Sequence, residues 1–326
     1  MGNGADKVIK ELENNGISIS GVFASDGFVR NKTFHGFKIT DYSTAKANFP
    51  DMIALFVFGS ALPEVINNVK RISKETELYV PDVPVYGDII FNSAYYSANE
   101  QAFLSIENML ADELSKKTYR NVINFKLSGD PNYLYDCEVS PESPFSDFFK
   151  LGDNETFVDL GAYSGDTVKE FLKLTNNNYS KIVAVEPDLK SFKRLLNNLE
   201  STKSFTAVNS CIGKEIGTCF LSSGRGRGSS KAESGTETTI ITLDKLLENK
   251  NPTYIKFDVE GEELNAILGG AKTIKEKKPK MLISAYHRSE DLITIPKAVL
   301  DINKDYKVYV RHYPYLPAWD VNFYFV

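Results

Sequence analysis

The chain is short of the residues that signal metal, redox or membrane chemistry. Its 326 residues include three cysteines, three histidines and one tryptophan. Cys137, Cys211 and Cys219 form no Cys-x-x-Cys pair and leave an odd count, so reduced thiols are the simplest account. No His, Cys and Asp spacing resembles a zinc site, and no metal is expected. No apolar run approaches the ~20 residues needed to cross a bilayer, and no basic-then-apolar leader opens the chain. An excess of positive charge is also missing. Against 43 Asp and Glu stand 38 Lys and Arg, a net charge of −5. Such a balance gives no general attraction for nucleic acid or anionic membranes. The expectation is a cytoplasmic protein with a small-molecule or glycan partner, no nucleic acid and no membrane insertion.

What is present is 42% hydrophobic residues, a globular content, in alternating α/β order. The length admits two domains. Residues 1–90 read as a small Rossmann-like module. It has a helix over 4–14, a strand over 17–23, a helix from Thr44 stopped by Pro50, and a helix over 63–73. Met52 to Phe58 is a continuous apolar run expected to form a parallel strand buried on both faces. Met1 to Asp6 looks like a glycine turn that lacks its strand, so the module reads as a docking or dimerisation unit, with nucleotide binding as the other possibility. Residues 91–150 read as a connector. One amphipathic helix is expected over Ala98 to Lys117, with Ala102, Phe103, Ile106, Leu110 and Leu114 on one face. A hairpin pairing Asn121–Lys126 with Tyr133–Asp136 follows. Phe145 to Phe149 either staple the linker onto the next domain or cap a ligand there. In residues 151–326 strands are expected at 156–160, 181–185, 205–209, 254–258 and 280–285. An antiparallel pair at 308–312 and 322–326 completes a seven-stranded sheet. Helices lie at 165–174, 189–200, 262–277 and 296–303.

The most informative stretch runs from Thr156 to Thr167. It reads as a buried strand, a turn holding Gly161 and Gly165, and the start of a helix. Lys181 to Glu186 reads as a second buried strand ending on a carboxylate. This is the nucleotide-binding half of a doubly wound sheet, where the ligand lies across the strand ends. Gly161, Ala162, Tyr163 and Gly165 make the turn that the ligand approaches. Glu186, roughly 20 residues further on, can accept both hydroxyls of a ribose. Asp159 lies just before the glycines, where negative charge disfavours a diphosphate. S-adenosylmethionine carries an ammonium and a sulfonium and no phosphate, so the two acids favour it over NAD. An NAD- or nucleotide-sugar-dependent enzyme, and an inactive binding module retaining the fold, are the competing readings.

With these pieces in register, residues ~150 to 326, the size of one domain, resemble the FkbM family of S-adenosylmethionine-dependent methyltransferases. The matching residues are Val158 to Ala162, Val185-Glu186-Pro187, Thr242-Leu243-Asp244 and, most specifically, Ile255-Lys256-Phe257-Asp258-Val259-Glu260-Gly261-Glu262-Glu263. The resemblance implies methyl transfer to an oxygen, usually of a sugar, polysaccharide or hydroxylated natural product. Asp258, at its strand end, would hold the cofactor's methionine end or orient the acceptor. Glu260, on the turn, is a candidate base, and His287 after the fifth strand is a competing one. Lys256 shares a sheet face with Asp258 and would pair with it or act in catalysis. His312 is a weaker candidate, and His35 reads as a turn residue. A polar loop over Ser222 to Glu237 would close over the acceptor, with Arg225 and Arg227 meeting its phosphate or carboxylate.

Overall fold

Strand order is what creates the site. The computed structural model describes residues 3–24, 29, 32–222, 230–232 and 235–326. Seven strands form the main sheet: β1 (Thr156–Leu160), β2 (Lys181–Val185), β3 (Phe205–Val208), β4 (Tyr254–Phe257), β5 (Lys280–Ser284), β6 (Val308–His312) and β7 (Val321–Phe325). Their order is β6-β7-β5-β4-β1-β2-β3. β7 runs antiparallel to β5 and β6, and the pairs from β5 to β3 are parallel. Val158, Ile182, Val183, Ile255 and Ile283 are all fully buried. Such unbroken apolar strands are expected where helices cover both sheet faces. The chain leaves β1 toward β2 on one side and later returns as β4 on the other. A crevice therefore opens at the C-terminal ends of β1 and β4. The register sets Asp159 beside Lys256 and Leu160 beside Phe257.

The helix expected over 262–277 is two, Glu263–Leu268 and Ala271–Lys277. The break falls at Gly269 and Gly270, where the backbone packs too closely for a side chain. A Cβ on Gly269 would lie 2.1 Å from the Gly213 carbonyl, and one on Gly270 would lie 2.4 Å from Leu243. The helix expected at 296 begins earlier, spanning Asp291–Ile302. The strand at Gly217–Ser222 belongs to a separate four-stranded sheet.

The connector differs more. One helix over Ala98 to Lys117 gives way to Ser93–Met109 and Glu113–Ser128. Asp112 starts the second by accepting the Ser115 N–H at 2.7 Å, and its carboxylate also grips Arg311 Nη2 at 2.6 Å. The expected hairpin is absent. Asn121–Lys126 lies inside the second helix, and Tyr133–Tyr135 lies in the short helix Asn132–Tyr135. Tyr119, Val122, Ile123 and Lys126 are buried at helical spacing, which explains the choice. Gly129, with φ of 72°, ends that helix. Phe148 stacks on Tyr309 at 3.9 Å, and Phe149 packs edge-on against Tyr254 at 5.1 Å. Tyr254 opens β4, so this aromatic group staples the end of the sheet opposite the crevice and caps no ligand.

In the first module the apolar run from Met52 forms only the strand Ala54–Leu55, parallel to Leu78–Tyr79. Within it Ala54 is buried and Leu55 only half-buried, and Ile53 just before it is exposed, so the run is not buried on both faces as expected. Of the strand expected over 17–23, Val22–Ala24 forms. One buried cluster runs from Phe56 and Val80 through Phe103, Tyr119 and Phe125 to Val158, Ile255 and Phe323, crossing the expected boundaries at 90 and 150. Among the described residues, no helix is long and apolar enough to cross a membrane.

Candidate active site

The floor of the crevice is the turn after β1. Gly161, Tyr163 and Gly165 have φ of 88°, 47° and 90°. The N–H groups of Gly161 and Ala162 both donate to the Val185 carbonyl at 2.9 Å, tying the turn to the end of β2. A Cβ on Gly161 would lie 1.8 Å from the Asp258 carbonyl, so the turns after β1 and β4 touch where glycine alone fits. Gly165 starts the helix Asp166–Leu174 and packs against Leu195 and Leu199.

Two buried acids border this turn. Glu186 follows β2 and accepts the N–H groups of Tyr163 and Asp188, each at 2.8 Å. Burial outweighs those bonds and pushes its carboxyl up to about 7. Asp159 is completely buried, and neither carboxylate oxygen has a hydrogen-bond partner among the described residues. Burial pushes it up to about 6, with Lys256 pulling the other way. A buried carboxylate without donors is costly unless a cation or donor group reaches it. The position is one that a ligand's ammonium group would satisfy.

The other wall is the turn after β4. Glu260 and Gly261 both have positive φ, 56° and 91°. Asp258 accepts Lys256 Nζ at 3.1 Å and the Tyr286 hydroxyl at 3.2 Å. Burial opposes its charge, but Lys256, His287 and Tyr286 together hold it below the usual carboxylate range. Burial also disfavours charge on Lys256, yet Asp258 and Asp159 hold its amine above the ordinary value. The sequence-predicted pairing of Lys256 with Asp258 is present. Glu260 is pushed up to about 7 by burial, with His287 pulling it down.

His287 is 1% exposed at the end of β5. Its Nδ1 lies 2.9 Å from Glu263 Oε1, an ion-pair contact without an aligned hydrogen bond. Its Nε2 lies 3.6 Å from Asp258 Oδ1 and 3.5 Å from Glu260 Oε2. Burial would lower its pKa, but Glu263, Asp258 and Glu260 raise it to about 9. Those three carboxylates favour the protonated ring. Asp258, Glu263 and His287 each bring a donor atom within 4.8 Å of the other two, a spacing that sequence distance concealed. The imidazolium already supplies the positive charge these carboxylates need.

The structure thus brings together Asp159, Gly161, Ala162, Tyr163, Gly165 and Glu186 on one side, and Lys256, Asp258, Glu260 and His287 on the other. His312 is not joined by an ion pair to these acids; burial pulls it down to about 4 and keeps it neutral. His35 pairs with Asp6 at 2.7 Å in the first module. Arg225 and Arg227 lie outside the described residues. Sequence reasoning missed four contributors. Glu263 stood inside the quoted run, but nothing there separated it from a helix-starting acid. Asp320, before β7, has φ of 107° and is pushed up to about 6 by burial, with Asn322 donating to it at 2.8 Å. Asp291 is pushed up to about 7 by burial, then by Glu263. Tyr86, from the end of the first module, donates its N–H to the His287 carbonyl at 2.8 Å. None of the last three carries a sequence signal beyond its residue type.

Residues 159–306 match the sequence profile of the methyltransferase FkbM domain. A similar solved structure is methyltransferase FkbM from Methylobacillus flagellatus KT. It covers 94% of this chain and 83% of that chain, with 24% identity and a TM-score of 0.73. At that identity the likeness is one of fold, and it extends through the first module and the connector. Two others are more distant. Precorrin-6y C5,15-methyltransferase from Geobacter metallireducens GS-15 is 14% identical over 54% of this chain and 80% of that one, with a TM-score of 0.36. Aeropyrum pernix fibrillarin, in complex with natively bound S-adenosyl-L-methionine, is 13% identical over 55% and 70%, with a TM-score of 0.37. Likenesses that low carry no argument. No curated protein matches the chain.

Proposed function

We propose that this chain, whose residues 159–306 match the methyltransferase FkbM domain profile, is an S-adenosylmethionine-dependent O-methyltransferase acting on a sugar, polysaccharide or hydroxylated natural product. The observation that carries this reading is Asp159, completely buried without a hydrogen-bond partner and two residues before the glycine of the turn. An ammonium-bearing cofactor satisfies such a group, and a diphosphate aggravates it. Gly161, Ala162, Tyr163 and Gly165 leave backbone room for the cofactor, Glu186 would take its ribose, and Asp159 with Asp258 would take its methionine end. When bound, the cofactor supplies a methyl group already activated by a sulfonium.

The chain's own residues then have three tasks: aligning the acceptor oxygen, excluding water and removing a proton. Glu260 is the proton acceptor. Its side chain is 31% exposed at the rim, whereas His287 behind it is buried and cationic. Lys256 and Tyr286 fix the carboxylate of Asp258 so that it orients rather than competes for the proton.

Calorimetric titration tests the reading. S-adenosylmethionine and its demethylated product should bind in the micromolar range and NAD should not; the reverse pattern would overturn it. Glu260→Gln should keep cofactor binding and slow transfer to hydroxylated acceptors, followed by product mass on a panel of glycans. An unaltered rate would remove Glu260 from the role.

A further inference from the structure

Glu263 has no part in that account, yet it is the most deeply buried acid on the acceptor side. It is the first residue of the helix Glu263–Leu268 and is 0% exposed. One oxygen, Oε1, accepts the Val259 N–H at 2.8 Å in the turn after β4. That duty alone does not explain the rest of the group. Oε2 has no hydrogen-bond partner among the described residues. A charged carboxylate so placed is unfavourable unless a counter-charge adjoins it. His287 Nδ1, 2.9 Å away, is that counter-charge.

Every element around the imidazole brings a charged or titratable group. Asp258 and Glu260 come from the turn after β4, and Glu263 from the helix that follows. Asp291 comes from the helix Asp291–Ile302, and Lys256 acts through Asp258. Tyr286 and Arg288 flank His287 in the chain, and the Tyr86 ring meets it edge-on at 6.1 Å. Arg288 Nε is spent on the Gly261 carbonyl at 2.7 Å. His287 pairs with Glu263 and is the larger cationic influence on Glu260, with Lys256 acting more weakly, and its ring has two nitrogens. With Nδ1 turned to Glu263, Nε2 must face Asp258 and Glu260. A ring freed from Glu263 could turn away and leave the two rim acids unbalanced.

We propose that Glu263 is a positioning residue: it holds the His287 ring with Nδ1 inward, so that Nε2 faces Asp258 and Glu260 at the rim. The role of Glu260 rests on the methyltransferase reading. The Glu263–His287 arrangement stands or falls separately.

Three histidines make nuclear magnetic resonance of the full chain, labelled at the histidine rings, a direct test. His287→Asn identifies the signals. In the wild type His287 should stay doubly protonated through neutral pH and titrate near 9. In Glu263→Gln its midpoint should fall by at least ~1 pH unit, about a tenfold loss of proton affinity. A lower melting temperature with an unmoved His287 midpoint would reduce Glu263 to a structural residue and overturn the proposal. If Glu263→Gln does not fold, the wild-type ring nitrogen shifts decide: a neutral His287 near pH 7 is equally fatal. Selective loss of the His287 signals with equimolar Mn²⁺ would make the cluster a cation site and also overturn it. Absence of S-adenosylmethionine binding in the wild type would sink the proposed function and leave the ring measurements to judge Glu263.

Discussion

The buried acids of the crevice make cofactor affinity depend on pH in a predictable direction. Asp159 and Glu186 are pushed up to about 6 and about 7 by burial. A cationic ligand favours their ionised forms, so its binding expels protons. Near pH 6 about half of Asp159 and about a tenth of Glu186 is ionised; near pH 7.5 the fractions are nearly all and about three quarters. If the ligand requires both carboxylates ionised, the product of the fractions rises roughly 15-fold over that range. The ligand's own α-ammonium stays largely charged below about pH 7.7, so it does not mask the trend. Isothermal titration with S-adenosylmethionine at a series of pH values measures the slope. Repeating it near pH 6 in buffers of different ionisation enthalpy should count roughly one to two protons released per ligand. Glu186→Gln should flatten the dependence to about twofold, the part owed to Asp159. An affinity that is constant, or that falls as pH rises, would refute the assignment of these acids to the ligand.

Two structural predictions concern the scaffold. Gly161→Ala should lower stability by roughly 2–4 kcal/mol and abolish cofactor binding, because a left-handed backbone and a carbonyl 1.8 Å from the new Cβ leave no room; urea unfolding and calorimetry read the two effects, and a stable, binding-competent variant would separate the two turns. Asp112→Ala should cost roughly 2–4 kcal/mol, since it removes a helix cap and strands the buried Arg311 guanidinium; a melting temperature within a degree or so of the wild type would mean that this connector contact contributes little.

The glycine turn and the acids bordering it were legible because local chemistry places them. A buried run ending in a glycine turn, then a second run ending in an acid, needs no distant partner to be recognised. Asp159 and Glu186 each lie next to the last residue of their strands. What was illegible depended on contacts far along the chain. The expected helix ends at Met109, where Leu110 bridges to Val308, and Asp112 caps a new helix while its carboxylate also meets Arg311, 199 residues later. Gly269 divides another helix because the Gly213 carbonyl lies against it. The hairpin was misread because Val122, Ile123 and Phe125 also suit a strand, and only burial of the Tyr119 face favours a helix. His287 as a base was reasonable from residue type and strand position. Three acids from two other elements, invisible from its neighbours, raise its proton affinity.

That charge arrangement also constrains how a methyl transfer would be helped here. Acids held close to a sulfonium stabilise the substrate state most, because its positive charge disappears as the methyl leaves; such binding would tighten the complex and slow the step. The acids bordering the glycine turn avoid this if they face groups whose charge does not change, the ribose for Glu186 and the ammonium for Asp159. Asp258 is closer to the acceptor side, and its charge is already balanced by Lys256 at 3.1 Å. Glu260 is left as the acid whose charge changes, since it gains the acceptor's proton. His287 tempers this group by keeping it ionised before the proton arrives, at the cost of some basicity. The unequal treatment of neighbouring carboxylates, one hydrogen-bonded to lysine, one set against the His287 ring and one without a hydrogen-bond donor, would suit the proposed transfer from a cationic donor to a neutral hydroxyl.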